Sequence, residues 1–323
     1  MKLRASWLSK LLICPILAMA ATTAHSYPDR PITMLIGFAP GGGADTLGRN
    51  IAQKMSTILG QTIVVENRAG ANSMIAAQAL TRAKPDGYTI LLNAASLSIA
   101  AATSKQINID PLTDLQPISL LATYPYLVTV PSSLPIQDFK AFIEYAKIHP
   151  GVVNYGSSGV GSAPHMGMEL LSSVTGIQMN HIPYKGSSPA NVDLAAGRIN
   201  AMLTNYGGAA AMIQNKSFRI LAVTSTQRAK NLPSIPSVAE LGYPSYDVVG
   251  WYSLDAPAGT PKEIINILHK AANEAVLSKD IAMRLEQEGT TPVGSTPAEY
   301  RKFFEKDLHR WQTVAKQSNI SLN

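Results

Sequence analysis

Apolar residues in this chain form short unbroken runs that alternate with stretches where they return every three to four positions. The first run covers residues 32–38 (Ile-Thr-Met-Leu-Ile-Gly-Phe) and meets the loop Ala39-Pro40-Gly41-Gly42-Gly43-Ala44-Asp45. Helical spacing follows. Leu47, Ile51, Met55 and Ile58 share a face, Gly60 is the stop, and Asp45 is the expected N-cap of a helix opening at Thr46. A strand at 62–66, a helix at about 73–83 and a buried strand at 88–92 complete a βαβαβ pattern, which points to an open parallel sheet. Residues 93–98, Ser96 among them, read as the loop after that strand.

The pattern then repeats. Residues 118–130 are strand-like but interrupted by Pro125, and the chain is expected to cross into a second unit near Tyr124. A helix at 136–148 ends at Pro150-Gly151, and a strand at 152–155 follows. A second glycine loop, Gly156-Ser157-Ser158-Gly159-Val160-Gly161-Ser162, leads into a helix with Pro164 in its first turn, where proline fits. Strands at 178–183, 200–204 and 219–224 alternate with helices at 189–196 and 209–214. Residues 232–244 are proline-rich and irregular, and 248–256 reads as a strand crossing back. Helices at 262–276, 280–288 and 297–318, with Asp280 and Thr296 as expected caps, would cover the first unit. The reading is α/β and two-lobed: residues 27–124 plus 249–323 in lobe one, 125–248 in lobe two. Two hinge crossings let such lobes close on a ligand.

Each glycine loop feeds a helix N-terminus, where backbone N–H groups lack acceptors and the helix dipole is positive. That suits an anion. A carboxylate is expected to accept N–H bonds around Gly41, Gly42, Gly43 and Ala44 on one lobe, with Phe38, Ala39, Pro40 and Ser96 beside it. On the other lobe it would meet Ser157, Gly159, Gly161, Ser162 and Ala163. Charge-assisted hydrogen bonds contribute roughly 1.5–3 kcal/mol each, so two or three support a micromolar site without a buried arginine. Asp45 has two readings, a contact to a ligand ammonium or hydroxyl and a plain helix cap worth about 1 kcal/mol; the cap is favoured. His165 and Glu169 lie four apart on one helix face, as a ligand contact with its support or as a structural pair. Lys185 after a strand, and Trp251 and Tyr252 on the returning strand, are weaker candidates for the cleft wall.

Composition narrows the function. With 323 residues, 46% hydrophobic and 15% charged, the chain can form two compact cores. Lys2, Arg4 and Lys10, an apolar stretch at 11–21 and Ala24-His25-Ser26 read as a secretory signal over residues 1–26, which places the working protein outside the cytoplasm. Removing those three basic residues lowers the formal charge from +6 to +3. The single cysteine, Cys14, falls in that segment, so the mature chain is expected to have no disulfide and no thiol chemistry. No Lys/Arg cluster points to nucleic acid. No Gly-Lys-Ser/Thr, G-x-G-x-x-G, G-x-S-x-G or H-E-x-x-H occurs, so no cofactor, metal or catalytic set is expected. The enzyme alternative is an exported hydrolase using Ser157, Ser158 or Ser162 with His165.

Taken together, Tyr27-Pro28-Asp29-Arg30-Pro31-Ile32, Pro40-Gly41-Gly42 with Asp45, Glu66-Asn67-Arg68, Pro85-Asp86-Gly87-Tyr88 and Tyr155-Gly156-Ser157-Ser158-Gly159-Val160-Gly161-Ser162 with His165 form an ordered set. His181-Ile182-Pro183-Tyr184-Lys185-Gly186 and Ala256-Pro257-Ala258-Gly259-Thr260-Pro261 extend it. The mature chain resembles the Bug-type periplasmic solute receptors of the tripartite tricarboxylate transporter family. The resemblance implies a two-lobed, type II-like periplasmic binding fold, a carboxylate held by the two glycine loops, and delivery to a membrane permease. It implies no catalysis. A monomer is expected, and a membrane signalling partner is the alternative to uptake. The chain departs from the family at Ala69-Gly70-Ala71-Asn72-Ser73, at Asn200, and at Asn205-Tyr206-Gly207-Gly208, a segment expected to line the pocket with Asn205 as its contact.

Overall fold

The computed structural model describes residues 27–103 and 109–317. The expected export signal and the end of the last helix at residue 318 lie outside them. The first lobe begins with β1 (Ile32–Ile36), α1 (Gly43–Leu59), β2 (Ile63–Asn67), α2 (Met74–Thr81), β3 (Thr89–Ala94), α3 (Ser96–Thr103), the short α4 (Pro111–Asp114) and β4 (Leu115–Pro125). The second comprises β5 (Leu127–Pro131), α5 (Phe139–Ile148), β6 (Val153–Ser157), α6 (Ala163–Thr175), β7 (Met179–Pro183), α7 (Ser187–Ala195), β8 (Ala201–Thr204), α8 (Tyr206–Gln214) and β9 (Phe218–Val223). The chain then returns through β10 (Val249–Pro257), α9 (Lys262–Leu277), α10 (Lys279–Gln287), β11 (Thr291–Pro292) and α11 (Pro297–Gln317).

The two sheets share one plan. The first runs β11-β4-β10-β3-β1-β2 and the second β7-β6-β8-β5-β9. In each, a central strand pairs in parallel with two neighbours: β1 with β2 and β3, β6 with β7 and β8. The next strand is antiparallel, β10 against β3 and β4, and β5 against β8 and β9. That strand is the one that arrives from the other lobe. The sheets are therefore mixed, where the βαβαβ pattern alone suggested parallel pairing. Both glycine loops leave the carboxyl end of the central strand, where open α/β sheets place their ligands.

Three local readings change. Helix α1 opens at Gly43, its N-cap is Gly42, and Asp45 lies inside the first turn. Asp45 therefore does not cap the helix. Residues 96–103 form α3, not a loop; six of its eight residues are buried, so no polar stripe marks it as a helix. Asp280 is not a cap but pairs with Lys54 at 2.9 Å, while Thr296 does cap α11. Its Oγ1 accepts from Glu299 N–H at 3.2 Å, and the Glu299 carboxylate accepts from Thr296 N–H at 2.8 Å.

The crossings are tied by one side chain. Thr224, fully buried, accepts at Oγ1 from Tyr126 N–H (2.8 Å) and donates to the Val248 carbonyl (2.6 Å). Its backbone bonds Tyr126 O and Val248 N–H, both at 2.9 Å. Strands that leave the first sheet and return to it thus meet at one hydroxyl. Replacing Thr224 by the isosteric Val removes the acceptor of a buried N–H, which costs roughly 1–3 kcal/mol. Chemical denaturation of Thr224→Val is expected to show a loss of about 2 kcal/mol, with Thr224→Ser close to wild type.

Candidate functional site

The first loop is shaped before it reaches the cleft. Gly37 has no side chain because Ser73 covers it; a Cβ there would lie 1.9 Å from Ser73 Oγ. Asp45 reaches back from the first turn of α1 and accepts from Gly41 N–H and Arg49 Nε, both at 3.0 Å. Its other oxygen accepts from Asn67 Nδ2 at 2.8 Å, and Asn67 also donates to the Phe38 carbonyl at 3.0 Å. Burial alone would raise the Asp45 pKa, but the bonds from Arg49, Gly41 and Asn67 outweigh it and hold the group below 3.8. Asp45 is a brace for the loop, with its oxygens already taken.

The second loop is braced by side chains beneath it. Gly159 N–H donates to Ser157 Oγ (3.1 Å), which also meets His181 Nε2 (2.6 Å). Gly161 N–H donates to His165 Nδ1 (3.0 Å), and Ser162 caps α6 by accepting from His165 N–H (3.4 Å). Gly159 (φ +134°) and Gly161 (φ +75°) adopt conformations that favour glycine. The His165 and His181 rings stack with centroids 3.8 Å apart. Glu169 does not support His165; it accepts from Tyr155 Oη. Asn200 serves the strands, its Oδ1 accepting from Asn154 N–H at 2.8 Å.

Between the loops lies a cavity of about 630 Å³, its open mouth included. Of the expected contacts, Phe38, Ala39, Gly42, Gly43, Ala44, Ser96 and Asn205 line it. Pro40, Gly41, Asp45, Ser157, Gly159, Gly161, Ser162, Ala163 and His165 are not part of the lining, and Pro40 and Gly41 are exposed; Ser158 and Pro164 are the second loop's contribution. Lys185 is exposed and Trp251 is buried in the first core, whereas Tyr252 is on the wall. Sequence reasoning missed Ala94, Tyr124, Tyr126, Ser187, Ser188 and Asn191, while Gly208 lies in the 205–208 segment expected at the pocket. The small, polar run Gly186-Ser187-Ser188 ahead of a helix was the one available signal.

The first turns of five helices face this space: Gly43 and Ala44 of α1, Ser96 of α3, Pro164 of α6, Ser187 and Ser188 of α7, and Gly208 of α8. Among the described residues that line it, none carries a charged side chain. Tyr124 stacks on Tyr252 at 4.8 Å and meets Tyr126 edge-on at 5.2 Å. Burial raises all three phenols, Tyr126 to about 12, so they remain neutral. A Cβ on Gly43 would meet Asn205 Oδ1 of the other lobe at 2.6 Å and Tyr252 Oη of its own lobe at 2.7 Å. Asn72 Nδ2 donates to the Val160 carbonyl. Among the described residues, no group of three or more His, Cys, Asp or Glu could hold a metal. The sheets and cleft define a two-lobed α/β fold with a cavity between the lobes that helix starts line.

The comparisons agree. The model of the tripartite tricarboxylate transporter family receptor matches residues 47–320. Protein BugT of Bordetella pertussis is 36% identical over 305 residues, covering 94% of each chain. The solved structure of R. palustris Rpa4515 with adipate is 33% identical, with a TM-score of 0.88 over 91% of this chain and 99% of that one. MatC (Rpa3494) of Rhodopseudomonas palustris with bound malate is 28% identical, with a TM-score of 0.85 over 89% and 99%. The chain belongs to the tripartite tricarboxylate transporter receptor family, whose members are periplasmic binding proteins.

The stacked histidines have a pH consequence. Burial holds both His165 and His181 near 4, below the ordinary 6.5. The folded chain therefore binds fewer protons than the unfolded one between these values. Stability is full above pH 6.5 and falls as pH drops toward 4. The melting temperature of His165→Asn, measured from pH 7 to pH 4, is expected to fall less steeply than that of wild type.

Proposed function

We propose that this protein is a periplasmic receptor that captures a small carboxylate in the cleft and delivers it to a membrane permease. The observation that carries this is the convergence of five helix N-termini on a cavity that no charged side chain lines among the described residues. The adipate and malate seen in relatives support the ligand class. The carboxylate lies against the first-turn N–H groups of α1, at Gly43, Ala44 and Asp45, with Ser96 nearby. Closure brings Ser158, the start of α6 and Asn205 against its other side. The braced loop residues, Pro40, Gly41, Ser157, Gly159, Gly161, Ser162 and His165, hold these donors in place. Ala163 supplies one further N–H from the start of α6. Residues 27–124 with 249–323 move against 125–248 about Thr224. Residues 1–26 direct export and are removed, and the receptor acts as a single chain. Binding needs no cofactor and no catalytic step. Ser157 Oγ is fully buried and outside the cavity lining, which argues against its use as a nucleophile.

A thermal-shift series with malate, succinate, adipate, glutarate and benzoate tests this. A ligand at one hundred times its dissociation constant stabilises the folded state by about 2.7 kcal/mol. At least one acid is expected to raise the melting temperature by several degrees and to leave a more compact scattering profile. Silence across the series overturns the reading. Gly43→Ala places a methyl group between Asn205 and Tyr252, and overpacking of that kind costs roughly 1–3 kcal/mol. Calorimetry is expected to show at least tenfold weaker binding for the same acid, with a smaller loss of unliganded stability from the contact with Tyr252.

A further inference from the structure

The cavity is lined by more rings than the chain would supply by chance. Aromatic residues are 7% of the sequence but four of the eighteen that line this space: Phe38, Tyr124, Tyr126 and Tyr252. Three of them belong to the strands that cross between the lobes. Tyr124 is near the end of β4, Tyr126 lies just before β5, and Tyr252 is on the returning β10.

The strands are built to hold these rings together. Gly250 lies directly opposite Tyr124 in the antiparallel pairing of β10 with β4, and a Cβ there would meet the Tyr124 ring at 2.3 Å. Without a side chain at Gly250, the ring lies across β10 toward Tyr252, two residues along on the same face. It stacks there at 4.8 Å with an interplanar angle of 29°. Tyr126 meets Tyr124 edge-on at 5.2 Å, and the two hydroxyls bond at 3.2 Å. The three rings form one fixed cluster, and each contributes to the cavity lining. Phe38, which leads into the first glycine loop, is half-buried at the same cavity.

Two chemistries therefore meet in one space. Helix starts offer N–H groups to a carboxylate. Rings offer offset-stacked and edge-on contacts, which stabilise another ring by more than the area they bury. An aliphatic body gains from burial alone. We propose that the ligand of this receptor is an aromatic acid: its carboxylate rests on the helix starts, and its ring packs against Phe38 and the Tyr124–Tyr126–Tyr252 cluster. This rests on the reading of the cleft as a carboxylate site and narrows it to acids that carry a flat ring.

Calorimetry on protein freed of bound ligand by unfolding and refolding tests this with acids that differ in ring saturation. The pairs are benzoate with cyclohexanecarboxylate, phenylacetate with cyclohexylacetate, 3-phenylpropionate with 3-cyclohexylpropionate, and terephthalate with trans-cyclohexane-1,4-dicarboxylate. The saturated member is as large and more apolar, so burial alone favours it and ring contacts favour its match. In whichever pair binds, the aromatic member is expected to bind about fivefold tighter or more, a difference of about 1 kcal/mol, and tighter than malate, succinate or adipate. Phe38→Leu keeps an apolar side chain and removes one ring. It is expected to weaken the aromatic acid about threefold or more and to leave its saturated match unchanged. Wild-type protein that binds both members equally, prefers the saturated one, or binds an aliphatic diacid tighter than every aromatic acid overturns the proposal and leaves the carboxylate reading standing. A preference undiminished in Phe38→Leu overturns it as well. Wild-type protein that binds none of these acids overturns both readings. The wild-type comparison decides the matter even if Phe38→Leu fails to fold.

Discussion

An α-helix leaves its first N–H groups without acceptors inside the helix, and the rest of this structure is arranged around where those groups point. Five first turns reach one cavity, two from the first lobe and three from the second. Such groups attract an anion only when they are held still and kept dry. The Asp45–Asn67–Arg49 network fixes the first loop, and Ser157, His165 and His181 fix the second. The absence of a side chain at Gly43 lets the lobes come together over the site. Thr224 then ties the two crossing strands through one buried hydroxyl.

The segment between β2 and α2 stores strain at this cleft. Ala71, Asn72 and Ser73 all have positive φ, at 45°, 55° and 73°. For residues other than glycine this costs roughly 1–2 kcal/mol each. The conformation sets Ser73 against Gly37 and brings the Asn72 amide across the gap to the Val160 carbonyl. Strain of this kind persists where surrounding contacts over-determine it, and it collects at sites that close on ligands.

Much of this architecture is legible from periodicity. The alternation of apolar runs with amphipathic stretches marks both βαβ units, and the two long apolar strands mark the crossings. What escapes is what depends on neighbours distant in sequence. Helix α3 lacks a polar face because α11 packs over it and Ser98 bonds Asp307. Asp45 looks like a cap because it is the polar residue nearest the helix start, but Gly42 already occupies the capping position. The His165–Glu169 spacing misleads because Tyr155, from the adjacent strand, takes the carboxylate. In the cleft, the glycine loops announce themselves, while Asn191 and the start of α7 become part of the wall only through folding.

The neutrality of the cavity bears on how a ligand leaves it. Here the attracting charge is split between two bodies and belongs to the backbone. Parting the lobes carries two helix ends one way and three the other, so the hold collapses with distance alone. On the proposed reading, unloading asks only that the lobes part.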